Sequence, residues 1–228
     1  MRHWAPVAGL VALLAFSNVV ANRLLPDALY IPWNLSVAAL VLFIGVRVDG
    51  RSLDEIGLSR AKLGDGLRLG GAVVGLTALV YLIGAVLPVT RDLYDDARVD
   101  GSGLASTLYD ALIRVPLGTV ALEELAFRGV LPAMLTVRVG TARAVAISCG
   151  LFGLWHVLPS TGLGDRNPVA QDVFGHASVV VPVAFAVAST ALAGLVLWLL
   201  RRWSGSLAAP ALTHWSTNGL GYLLAYFI

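Results

Sequence analysis

Apolar residues in this chain come in long runs, and polar residues gather between them. Seven runs stand out, at 5–22, 30–47, 67–88, 106–131, 142–158, 179–200 and 206–227. A helix needs about 17 to 25 residues to cross the hydrocarbon core of a bilayer. Continuous apolar runs of that length are far too long for strands, and a chain in lipid must satisfy its backbone internally, as a helix does. The pattern therefore predicts an all-α, polytopic transmembrane helical bundle of about seven spans, with six to eight compatible with the run boundaries. The first run follows Arg2 and carries Val19 and Ala21 at the spacing of a signal-peptidase site. Because further runs follow, it is read as an uncleaved first span.

The polar intervals sharpen this picture. Residues 47–68 hold Arg51, Arg60, Lys62 and the pair Asp54-Glu55, a basic stretch with room for a helix lying on the membrane surface. Residues 91–110 carry an acidic excess in Asp92, Asp95, Asp96 and Asp100. Arg2, the 47–68 group, Arg138, Arg143, Arg201 and Arg202 fall on one side, and Arg23, Arg91, Arg98 and Arg166 on the other. The positive-inside rule then places the N-terminus in the cytoplasm of a multi-pass protein of the cell (inner) membrane.

Composition agrees: 57% of the 228 residues are hydrophobic and 13% charged, where soluble domains run to about half and a quarter. No repeat and no long linker divides the chain, so residues 1–228 are read as one integral-membrane domain whose chemistry lies in about 104–228. A net charge of +2 without a basic patch argues against nucleic acid, leaving the lipid bilayer as the first partner. The single cysteine, Cys149, lies in an apolar run seven residues before His156. It is read as a small packed hydrophobe rather than a nucleophile.

The fourth run is the irregular one, with Pro116, Gly118, Arg114, Glu123, Glu124 and Arg128. A charge at mid-bilayer costs at least about 2.5–3.5 kcal/mol on insertion scales, so three in one span need compensation. Glu124 and Arg128, four residues apart, share a helical face and can neutralise each other. Glu123 is turned about 100° away, without a local partner. The fifth run contains Phe152-Gly-Leu-Trp-His156, and the seventh His214-Trp-Ser-Thr-Asn218, whose ends again share a face. Measured at about 1.5 Å per residue from the flanking arginines, Glu123 lies about 22 Å deep, His156 about 20 Å and His214 about 18 Å. A carboxylate, two imidazoles and a carboxamide at one depth can activate water and stabilise an oxyanion. The plainer alternative is interhelical hydrogen bonding for packing, or a proton relay of a transporter. His3, His176, Asn18 and Asn22 receive no role.

Glu123-Glu124-Leu-Ala-Phe-Arg128 resembles the EExxxR motif, Phe152-Gly-Leu-Trp-His156 the FxxxH motif, and His214-Trp-Ser-Thr-Asn218 the HxxxN motif of the CAAX-prenyl-protease and bacteriocin-processing (CPBP, or Abi) membrane proteases. All three occur in that family's order, over residues 122–218. The resemblance implies an intramembrane endopeptidase acting on a membrane-associated peptide or protein. Glu123 would activate water, His156 would support it, His214 and Asn218 would hold the oxyanion, and Glu124 and Arg128 would be supporting residues. Metal is left open: Glu123, His156 and His214 could ligate a catalytic Zn2+, or Glu123 could act without metal, the route taken forward. A non-catalytic immunity or scaffold protein of the same fold is the alternative.

Overall fold

The computed structural model describes residues 3–97, 99, 101–161, 168–174 and 179–228; Arg2, Arg98, Asp100, Arg166 and His176 lie outside them. All regular structure among the described residues is helical. Helices α1 (Ala5–Arg23) and α2 (Tyr30–Phe43, extended by a wide turn over Ile44–Val48) lead through the short α3 (Leu53–Ile56) to α4 (Leu63–Val86). One continuous helix, α5, spans residues 104–139 and is followed by α6 (Thr141–Trp155), α7 (Pro168–Phe174), α8 (Val180–Ser204) and α9 (Ala208–Phe227).

All seven apolar runs are helical, but four helical stretches are long and apolar enough to cross a membrane: Ala5–Arg23, Asp27–Val48, Leu53–Val86 and Val180–Ser204. The expected count of seven is thus not reached on those criteria. Helix α6 stops after 15 residues, short of the predicted 158, and the charges of α5 set it apart from an ordinary span. The chain is a multi-pass membrane protein. Its outer faces carry exposed Phe16, Phe43, Leu76, Leu82, Phe185 and Leu192, as expected where lipid rather than water is the neighbour.

Helix α5 runs through the middle, packed by α2, α6, α8 and α9. Its Leu122, Ala126, Phe127, Val130, Leu131 and Met134 form the core with Leu10 and Leu14 of α1, Val41 of α2 and Phe152 of α6. Two stretches of α5, Asp110–Val120 and Leu125–Val130, are wound as π-helix, with Pro116 inside the first. Proline lacks the N–H that an α-turn needs and crowds the preceding carbonyls, so a widened turn is the physical way to keep the helix continuous.

Between α2 and α4 the chain holds only short helical turns. Its one α-helical turn, α3, opens with a capping box between Ser52 and Glu55 and ends at Gly57, whose φ of 92° suits glycine. Ile56 is wholly buried, and the Leu207 N–H donates to the Gly57 carbonyl at 2.9 Å. Arg201 donates to the carbonyls of Asp54 and Glu55. Asp49 accepts from Arg138 through both carboxylate oxygens and pairs with Arg51 at 3.1 Å. Buried Ile56 and the main-chain acceptors at residues 54, 55 and 57 thus tie this stretch to the end of the bundle.

Candidate active site

The four residues Ala121–Glu124 are the α-helical turn between the two π-wound stretches of α5. Their carboxylates and the imidazole of His214 on α9 form a buried cluster, with Glu123 5%, Glu124 2% and His214 7% exposed. His214 Nδ1 lies 2.7 Å from Glu124 Oε1 and Nε2 lies 3.7 Å from Glu123 Oε2. Successive helical positions diverge by about 100°, and the imidazole fills the angle between the two side chains. A carboxylate oxygen accepts hydrogen bonds, so a proton on Nδ1 is donated to Glu124 while Nε2 turns to Glu123.

Arg128 Nη1 stands 3.2 Å from Glu124 Oε1, an ion pair by distance, yet neither Nη atom has an aligned hydrogen-bond acceptor. The guanidinium instead lies 3.7 Å above the Phe152 ring, where the face of the π-system attracts a cation. Ser148 of α6 donates to the Phe127 carbonyl at 2.6 Å, tying α6 to the second π-wound stretch beside this pair.

His156 sits in the turn just beyond α6, half-buried, with Nδ1 2.8 Å from the Phe152 carbonyl. Its ring meets Phe152 edge-on at 4.7 Å, and Phe152 is in turn 6.2 Å from the His214 ring. Phe152 therefore links the two histidines. Asn218, one turn beyond His214 on α9, is exposed, and its Oδ1 lies 3.5 Å from Thr217 Oγ1. Cys149 is half-buried. Among the described residues no three His, Cys, Asp or Glu side chains are grouped as a metal ion would require, so the arrangement does not present Glu123, His156 and His214 as a ready ligand set.

One residue absent from the sequence-based set touches the centre. Trp155, on the last turn of α6, donates from Nε1 to Glu123 Oε1 at 2.9 Å. Glu123 Oε2 remains without a hydrogen-bond partner, as does Glu124 Oε2. A cavity of about 390 Å³, lined among others by Leu58, Arg60, Val120, Ala121 and Ala211, reaches Glu124 from the α3–α4 connection.

Fold and site define a polytopic membrane protein with an acid–imidazole centre buried between its helices. Residues 105–220, just over half of the chain, match the type II CAAX prenyl endopeptidase Rce1-like family. The chain belongs to that family, which is one of membrane proteases. No curated protein and no solved structure is significantly similar to it.

Proposed function

We propose that the protein is an intramembrane endopeptidase that hydrolyses a peptide bond of a membrane-associated peptide or protein, with Glu123 as the base. The observation that carries this reading is Glu123 Oε2, a buried acceptor without a partner, 3.7 Å from His214 Nε2. Water held against Oε2 loses a proton to Glu123 as its oxygen attacks the peptide carbonyl. Glu124 holds the His214 ring as a triad carboxylate holds its imidazole, stabilising positive charge when Nε2 bears a proton toward the oxyanion. The Asn218 amide, one turn away, is the second oxyanion donor. When the C–N bond breaks, Glu123 returns its proton to the departing amine. His156 supports this centre from across Phe152. No step needs a metal.

The apolar cavity reaching Glu124 suits a peptide with apolar side chains, and the family's description as an endopeptidase supports peptide-bond hydrolysis. The test is cleavage of a membrane-peptide library by purified wild type and Glu123→Gln in detergent. Wild type is expected to cleave and Glu123→Gln to fold but not cleave; equal cleavage by both would overturn the assignment. Activity that survives a strong chelator is the expected result for a glutamate mechanism, and its abolition would overturn the metal-free route.

A further inference from the structure

Three residues that are not the defining positions of the family-like motifs, Asn22, Asn18 and Trp155, form a hydrogen-bonded line ending on Glu123. Asn22 Nδ2 donates to Asn18 Oδ1 at 2.6 Å. That bond fixes which end of the Asn18 amide is which, because Oδ1 is then the acceptor and Nδ2 is left to donate. Asn18 Nδ2 does so to the Trp155 main-chain carbonyl at 2.8 Å, and Trp155 Nε1 donates to Glu123 Oε1 at 2.9 Å.

Each link has a physical reason. The Trp155 carbonyl belongs to the last turn of α6, where carbonyls have no N–H from a following turn and need an outside donor. Asn18, only 8% exposed in a mostly apolar helix, is costly unless bonded, and this carbonyl satisfies it. The Trp155 ring is set by an edge-on contact with Phe127 at 5.6 Å. A glutamate otherwise has three free torsions, and either oxygen could face the reaction; the indole N–H takes Oε1.

We infer that Trp155 is a positioning residue: its indole N–H holds Glu123 so that Oε2 alone is presented to His214 and to the attacking water, and Asn18 of α1 sets Trp155 in place. This rests on the assignment of Glu123 as the base. It gives α1, outside the matched residues 105–220, a part in the chemistry.

The test is steady-state kinetics on Trp155→Phe, Asn18→Leu and the double variant, beside Glu123→Gln. Trp155→Phe keeps an aromatic ring against Phe127 and removes the donor. It is expected to lower kcat by about 10- to 100-fold with KM unchanged, since misplacing a reacting group by about 1 Å costs that much. Asn18→Leu should lower kcat less, and the double variant should be no worse than Trp155→Phe, because Asn18 acts through Trp155. Additive losses, or a KM that rises with kcat intact, would overturn the inference. Replacing Trp155 by 3-benzothienylalanine, which exchanges the ring N–H for sulfur at nearly constant shape, covers a Trp155→Phe protein that does not fold; wild-type kcat there would equally overturn it. A Glu123→Gln protein that still cleaves would instead remove the base assignment beneath it.

Discussion

Glu124 is where the protein's ion pairing and its proposed chemistry meet. One oxygen serves both Arg128 at 3.2 Å and His214 at 2.7 Å. Glu124→Gln takes the charge from both, leaving a buried guanidinium over the Phe152 ring without its carboxylate. Breaking a buried pair from one side costs about 3–5 kcal/mol. The expected outcome is a clearly lower unfolding temperature in detergent together with partial loss of cleavage, read by thermal unfolding and kcat. A variant with wild-type stability would show that the pair carries no weight. His214→Ala is expected to abolish cleavage in a protein that still folds, because the proposed mechanism assigns it the oxyanion; unaltered turnover would remove it from the mechanism.

At the scale of elements, the site depends on how closely α6, α8 and α5 approach. A Cβ on Gly153 of α6 would stand 2.6 Å from the Val187 carbonyl of α8, a contact with backbone that cannot be relieved by a rotamer. Gly153→Ala must therefore push α6 and α8 apart, at about 1–3 kcal/mol for overpacking. It is expected to lower the unfolding temperature and, because Trp155 lies two residues on, to lower kcat as well. Wild-type behaviour in both measurements would show that the helices yield without cost. The π-wound stretches belong to this scale too. Pro116 and the Glu-Glu-x-x-x-Arg spacing are visible in a linear reading, whereas a widened winding depends on the neighbours that α5 must fit.

For the whole molecule, the contacts gather His3, Asp49, Arg51, Arg138 and Arg201 at one end of the bundle, and Asp27, Asp110 and Arg114 at another face. Positive-inside bias predicts that the first end faces the cytoplasm. Cys149 is the single cysteine, so after its removal a cysteine at exposed Lys62 is expected to escape a membrane-impermeant maleimide in intact cells, while one at exposed Asp27 reacts. The reverse pattern would invert the topology. The network around Asp49 closes that end: its side chain is 2% exposed and joins Arg138 and Arg51. Asp49→Asn is expected to lower the unfolding temperature with KM little changed.

The linear pattern determined that the chain is helical and embedded in a membrane, because apolar run length answers directly to bilayer thickness and to the backbone's need for internal hydrogen bonds. It also marked Glu123, Glu124, Arg128, His156, His214 and Asn218 as exceptional, because each is a polar residue in a motif within an apolar run. The run pattern alone could not show that α6 stops before His156, or that Ile56 and Gly57 are tied to the bundle end. Both depend on packing partners distant in sequence. Only the tertiary structure set both carboxylates around one imidazole and tied Asn18 to Trp155 and Trp155 to Glu123, across sequence separations of 137 and 32. An asparagine or tryptophan in an apolar run has the same local signature whether it packs or positions, and the partner that distinguishes the two is brought to it by the fold.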